Sequence, residues 1–211
     1  MGNDLADVLP ARFFTRADES SDESFYAGPR FVTHIDDSTI AALTEAYREV
    51  VPAGARVLDL MSSWISHLPP DVSYAHVAGH GMNGEELARN PRLTETLVQD
   101  LNREPELPWP GGSFDAALCA VSIQYLTRPL EVFCSVRRVL APGGSFLVAI
   151  SHRMFPTKAV AIWHALDVAD RARLVGSYFR LSGGWTVPSI VDRSPAVGDP
   201  LLLIVAGRDG P

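Results

Sequence analysis

The sequence predicts an α/β fold in which a mostly parallel sheet is covered by helices on both faces. Three observations carry this. Segments with strand character alternate with segments of helical periodicity along the chain. One of them, "FDAALCAVSIQYL", is a continuous apolar run, as a central strand buried on both faces requires. The 211 residues, 46% hydrophobic and 20% charged, suffice for one sizeable core and show neither repeat nor linker, so a single domain is expected.

Each element has its own signal. The first thirty residues, with "RADESSDES", are polar and acidic and read as a loose or late-ordering arm, here taken as residues 1–35 ahead of the α/β domain at 36–211. A helix starts near "HIDDST", where Asp36 or Asp37 caps the free N–H groups, and Ile40, Leu43, Tyr47 and Val50 follow at helical spacing. "VPAG" ends it, and "ARVLDL" is the first strand. A second helical stretch is expected from Ser66, and "PPDVSYAHVAGHG" supplies a turn and the second strand. "NGEELARNPRLTETLVQD" reads as a polar connection with a short helix from about Gly84 to Ala88. After the central strand, "TRPLEVFCSVRRVL" places Leu130, Phe133, Val136, Val139 and Leu140 on one helical face. "APGG" stops that helix and "SFLVAIS" is the next strand. A long helix is expected over Lys158 to Val175, then a turn-rich hairpin in "RLSGGWTVPSIVDRSPAVGDP" near the sheet edge, with Asp192 and Arg193 paired, and "LLLIVAGR" as the last strand.

The net charge of −7 argues against a general nucleic-acid or anionic-membrane surface and leaves small, neutral or cationic partners open. A monomer or homodimer is expected. Cys119 and Cys134 fall in apolar strand-like and helix-like runs and read as buried free thiols. With the histidines scattered, no metal site is expected. No apolar run reaches the roughly 18 residues of a membrane span. The start, "MGNDLADVLPARFF", lacks the form of a signal peptide, and Gly2 is followed at position six by Ala6 rather than a hydroxyl residue, against myristoylation. A cytoplasmic protein is expected.

The stretch "LPWPGGSFDAALCAVSIQYLTRPLEVFCSVRRVLAPGGSFLVAIS" resembles the second half of a class I S-adenosylmethionine-dependent methyltransferase of the small-molecule type. Leu107 to Pro110, Ser113 to Asp115 and Arg138 to Gly144 carry the likeness, and with the first strand it covers roughly residues 40 to 152. It implies a doubly wound, mostly parallel seven-stranded sheet of the Rossmann-like methyltransferase fold, and S-adenosylmethionine as cofactor. It also implies where the cofactor lies. Asp59 matches the family's acid at the end of strand one, but the Gly-x-Gly-x-Gly that follows falls on Met61, Ser63 and Ile65, with Ser62 between. Bare backbone at those glycines lets the cofactor's amino-acid tail lie close. Trp64 either walls the pocket or plugs it. The family's ribose-binding acid after strand two falls on Gly81, with Met82 and Asn83 behind it, Asn83 offering a neutral hydrogen bond instead. "VQDLN" places Asp100 and Leu101 where the family contacts adenine, and Val121 ends strand four on the cofactor side.

Methyl transfer needs alignment, and a general base where the acceptor must lose a proton. By position at the strand ends, Gln124, Tyr125 and Arg153 are expected near the substrate, with Trp185 shaping the mouth. His152 reads equally as the base and as a side chain pairing locally at the strand end. Tyr26 and His34 are further candidates, because in this family type "FYAGPRFVTHID" often folds over the cofactor as a lid. His67 reads first as a helix-surface residue, and His76 and His164 as structural. The resemblance thus implies methyl transfer to a small molecule. The missing glycines, the missing ribose acid and Trp64 hold open a catalytically inactive binding or interaction protein. A nicotinamide dehydrogenase would need the same glycine turn and ribose acid and fits less well.

Overall fold

A computed structural model describes residues 9–210. Gly2 and Ala6, read above for acylation, lie outside the described residues. Seven strands form one sheet in the order β3-β2-β1-β4-β5-β7-β6. They are β1 (Arg56–Asp59), β2 (His76–Gly81), β3 (Glu95–Val98), β4 (Phe114–Ala120), β5 (Leu140–Ile150), β6 (Ser189–Asp192) and β7 (Leu202–Gly207). β1 to β5 run parallel, while β7 pairs antiparallel with both β5 and β6. This is the seven-stranded, mostly parallel sheet of the Rossmann-like methyltransferase fold. The order reverses between β1 and β4, where an open α/β sheet leaves a crevice at the carboxyl ends of its strands.

The side-chain alternation of the strands divides the core between the two faces. In β5, Phe146, Val148 and Ile150 point to one side and Leu147 and Ala149 to the other. The first side packs under two helices, Pro129–Val139 and Val168–Ser182, through Phe133, Val136, Tyr178 and Phe179. The second packs under a helix over Asp37–Val50 through Leu43, Ala46 and Tyr47. Asp36 caps that helix by accepting from the Thr39 N–H, as expected, but its buried stripe is Thr39, Leu43, Ala46 and Tyr47, with Val50 exposed. In chain order the helices are α1 (Asp22–Phe25), α2 (Asp37–Val50), α3 (Gly84–Arg89), α4 (Pro129–Val139), α5 (Ala161–Ala165) and α6 (Val168–Ser182). Cys119 and Cys134 are free thiols, the first buried and the second partly so. No described helix is long and apolar enough to cross a membrane.

Four expectations are corrected. No helix starts at Ser66, since its hydroxyl binds Asp59 and Pro69-Pro70 follow at once, so the crossover from β1 to β2 is irregular. The polar connection contains β3, a four-residue edge strand too short and too exposed to show an apolar run. The long helix is two, because the Asp167 side chain accepts from the Asp170 N–H and restarts the chain as α6. The described part of the arm is not loose. Arg16 bridges Val160 in antiparallel fashion, and the Asp18 and Ala161 N–H groups donate to the Thr157 and Thr15 carbonyls. A buried ion cluster locks it: Arg16 sits 2.7 Å from Asp22, and the fully buried Lys158 ammonium lies 3.2 Å from Asp22 and 3.4 Å from Asp18.

Candidate active site

A cavity of about 400 Å³ opens at the carboxyl ends of β1, β2 and β4, roofed by the N-terminal arm and the segment after β5. Its size suits a cofactor-sized ligand. The floor starts at Asp59, where burial pushes the carboxyl up to about 6 although it accepts from the Ser62 hydroxyl at 2.6 Å and from Ser66. Two non-glycine residues on the wall have left-handed backbone, Met61 at φ 56° and Val121 at φ 48°, ending β1 and β4 respectively. Such backbone costs an L-residue about 1–2 kcal/mol and is found where surroundings over-determine it. Met61 therefore keeps the conformation for which a glycine would be chosen, at the first position of the glycine motif.

The turn after Met61 explains the second departure from the family pattern. The Ser62 N–H donates to the His80 carbonyl at 2.6 Å, so the turn lies directly against the end of β2. A Cβ on Gly81 would stand 2.5 Å from the Ser62 carbonyl oxygen. No side chain fits at Gly81 while the turn follows this path, so the lost glycines and the lost acid are one structural change. Asn83 does not replace the acid, since its side-chain oxygen caps α3 and its amide donates to the Tyr26 and Ala27 carbonyls. An acid does stand on the wall one turn further on. The buried Glu86 accepts from the Ser63 hydroxyl at 2.6 Å and from the Arg30 N–H at 2.7 Å. Trp64 neither walls nor plugs the cavity: its indole stands behind the lining residue Val32, donating to that residue's carbonyl, and meets Phe31 edge-on.

Several polar atoms on the wall are buried without a protein partner. The His80 Nδ1 accepts a long 3.4 Å bond from the Met61 N–H, which puts the proton of the neutral ring on Nε2, and that Nε2 is unpaired. Burial lowers His80 to about 4, and His67, whose Nδ1 is also unpaired, to about 4 as well. Both rings are neutral near pH 7. The arm adds Tyr26, Arg30 and His34. Burial holds the Tyr26 phenol protonated and lowers His34. His34 stands edge-on to Phe155, with ring centres 5.2 Å apart, and Phe155 stacks on Tyr125.

Asp59, Met61, Ser62, Ser63, Gly81, Met82, Asn83, Asp100, Leu101 and Val121 all line this one cavity, as do Tyr26, His34, Tyr125 and Arg153. Three sequence candidates are not brought there. His152 turns to the buried Asp199, with Nε2 3.2 Å from the carboxylate, because that acid ties the end of β5 to the start of α2. Gln124 is buried behind the wall, its amide spanning the Val121 and Arg153 carbonyls. Trp185 packs in the core on Phe146 and Phe179, far from any mouth. Nor do Asp192 and Arg193 pair, since Arg193 binds Glu49. His67 is a wall residue rather than a helix-surface one. Sequence reasoning also missed Glu86 and His80. The signals were an acid three residues after the Asn83 cap, and a second histidine near the end of β2.

The methyltransferase domain family matches residues 71–148. The matched segment runs from before β2 into β5, and with the sheet order it shows the methyltransferase-like fold. No curated protein matches it by sequence. Among solved structures, the (4+2)-cyclase SpnF is similar with a TM-score of 0.64 and 17% identity, covering 90% of this chain and 92% of its own. An S-adenosylmethionine-dependent methyltransferase from Mesorhizobium loti is similar at 0.58 and 19%, covering 81% and 100%. One from Aquifex aeolicus is similar at 0.57 and 17%, covering 82% and 98%. At such identities the likeness is one of fold, and fold alone does not choose the reaction.

Proposed function

We propose that this protein transfers a methyl group from S-adenosylmethionine to a small-molecule acceptor held in the cavity. The observation that carries the reading is that every residue aligned with the family's cofactor contacts stands on the wall of one cavity, with Trp64 outside it. The donors present also fit such a ligand. The buried, unpaired His80 Nε2 and the Ser62 and Ser63 hydroxyls offer polar contacts where bulk at Met61 and Ile65 replaces bare backbone. Asp100 accepts the adenine amine, and Leu101 packs against the ring. Glu86 takes the part of the missing ribose acid, its two oxygens each retaining acceptor capacity beyond the bonds they already make.

When bound, the cofactor supplies an electrophilic methyl on a sulfonium, which is transferred as the carbon–sulfur bond breaks and leaves a neutral thioether. The protein's share is alignment and exclusion of water. The acceptor's heteroatom forms the new bond to carbon, and its proton passes to the neutral His34 imidazole. Tyr26, held as a phenol, donates a hydrogen bond to the acceptor. An inactive relative whose tryptophan closes the cleft is disfavoured by where Trp64 lies.

Calorimetric titration with S-adenosylmethionine and S-adenosylhomocysteine tests the reading. Binding below millimolar concentration is expected, and Asp100→Ala weakens it about 10-fold or more, the worth of a charge-assisted hydrogen bond. Absence of binding by both ligands at millimolar concentration refutes it.

A further inference from the structure

We propose that Arg30 makes the acceptor side of the cavity a site for a carboxylate, and that the acceptor is a flat, carboxylate-bearing molecule. The identity of the site as an acceptor site rests on the methyl-transfer reading; the carboxylate preference does not. Arg30 and Arg153 are the two cations on the cavity wall, and they differ in what they bind. Arg153 is paired with Asp199 at 2.9 Å. Arg30 enters no ion pair among the described residues: its Nη2 donates to the Phe25 carbonyl at 2.8 Å, and its Nη1 is buried without a partner.

The wall's acids do not answer it. Asp22 is held by Arg16, Lys158 and Asn102, while Asp59 accepts from Ser62 and Ser66. Glu86 meets only the backbone N–H of Arg30, and Asp100 accepts from the Asn102 N–H. A guanidinium cannot lose its charge to escape burial, so an unpaired nitrogen in such a place costs more than a neutral donor would. An incoming carboxylate removes that cost and gains a charge-assisted bond.

The surroundings shape the rest of the ligand. The guanidinium carbon lies 4.7 Å from the Phe25 ring centre, 5.4 Å from Phe155 and 5.6 Å from Tyr26. These rings hold the side chain in place through cation–π attraction. Tyr26, Phe155 and Tyr125 continue along the wall as flat apolar surface beside His34. A carboxylate at Arg30 therefore carries its ring or unsaturated skeleton along this surface, with the methyl-accepting atom toward His34.

Ligand-observed NMR and thermal shift test this with matched probes, benzoate and 3-phenylpropanoate against benzamide and 3-phenylpropanamide, each with and without S-adenosylhomocysteine. The carboxylates are expected to bind at least 10-fold better than their amides. Arg30→Gln abolishes the preference, Arg30→Lys retains part of it, and S-adenosylhomocysteine affinity changes less than 3-fold in either variant. Equal binding of acid and amide, no binding of either, or a preference surviving Arg30→Gln overturns the proposal. A drop of 10-fold or more in S-adenosylhomocysteine affinity with Arg30→Gln assigns the guanidinium to the cofactor's own carboxylate and equally overturns it. If the carboxylates bind through Arg30 while S-adenosylhomocysteine does not bind at all, the methyl-transfer reading has failed and the anion site stands.

Discussion

Replacing Gly81 by aspartate puts back the acid that the family carries after its second strand, and the geometry says that this repairs nothing. A Cβ at that position meets the Ser62 carbonyl oxygen at 2.5 Å and a Leu87 methyl at 3.2 Å. The nearer atom is backbone, in a turn pinned by the Ser62 N–H to the His80 carbonyl, by the Ser62 hydroxyl to Asp59, and by the left-handed Met61. To restore an ordinary contact the turn must move by roughly 1 Å, and over-packing of this kind costs about 1–3 kcal/mol. In a domain of this size each kcal/mol shifts the midpoint by about 2–4 °C, so a fall of about 2–12 °C is expected. Gly81→Ala carries the same Cβ without the charge and should lose a similar amount, which separates the steric cause from repulsion by Glu86. Thermal unfolding followed by circular dichroism, with S-adenosylhomocysteine titrations of the same samples, reads both effects. An aspartate variant as stable as the parent, or one binding at least 10-fold more tightly, would show that the turn and the acid are independent.

Three further outcomes follow from the same geometry. His80 titrates near 4 when folded and near 6.5 when unfolded, so between those values the unfolded chain binds a proton that the folded chain refuses. Stability then falls on acidification through that window, by about 3 kcal/mol for this group, and His67 acts in the same sense. Asp59, raised to about 6 from 3.8, works in opposition, because there the folded chain holds the extra proton. Urea unfolding at pH 7 and pH 4.5 should show a net loss in acid that His80→Asn reduces, and an unchanged slope in that variant would count against the burial argument. Lys158→Met removes a fully buried cation from between Asp18 and Asp22, and should cost about 3 kcal/mol while exposing the arm to limited proteolysis; an unchanged midpoint would mean the cluster is not what holds the arm. Trp64→Ala should change S-adenosylhomocysteine affinity less than 3-fold, whereas a gain of 10-fold would mean that the indole closes the cavity in solution.

Much of the fold was legible because it follows from local chemistry. Apolar runs buried on two faces marked β1, β4 and β5, and the Asp36-Asp37 pair marked the start of α2, the structure choosing Asp36 as the cap. The order of motifs from Leu107 to Gly144 was enough to say which α/β fold these pieces build. What escaped were elements whose identity depends on neighbours. Glu95 to Val98 is a strand only because β2 offers it an edge, and the stretch from Ser66 is not a helix because Asp59 claims its serine.

The site divides in the same way. By itself the sequence determined which residues end β1 and β4, and hence the Asp59 and Val121 side of the cavity, while Asp100 followed from the resemblance alone. It also established that the glycines and the ribose acid were gone. Only the tertiary structure decided that these losses are one change, because the clash at Gly81 is with backbone from another strand's turn. Only it turned Trp64 outward, sent His152 to Asp199 and sank Trp185 in the core. Position along a strand follows from the order of residues. The direction of a side chain depends on which partner is within reach, and Val32 for Trp64, Phe146 for Trp185 and Asp199 for His152 lie 32, 39 and 47 residues away in the sequence.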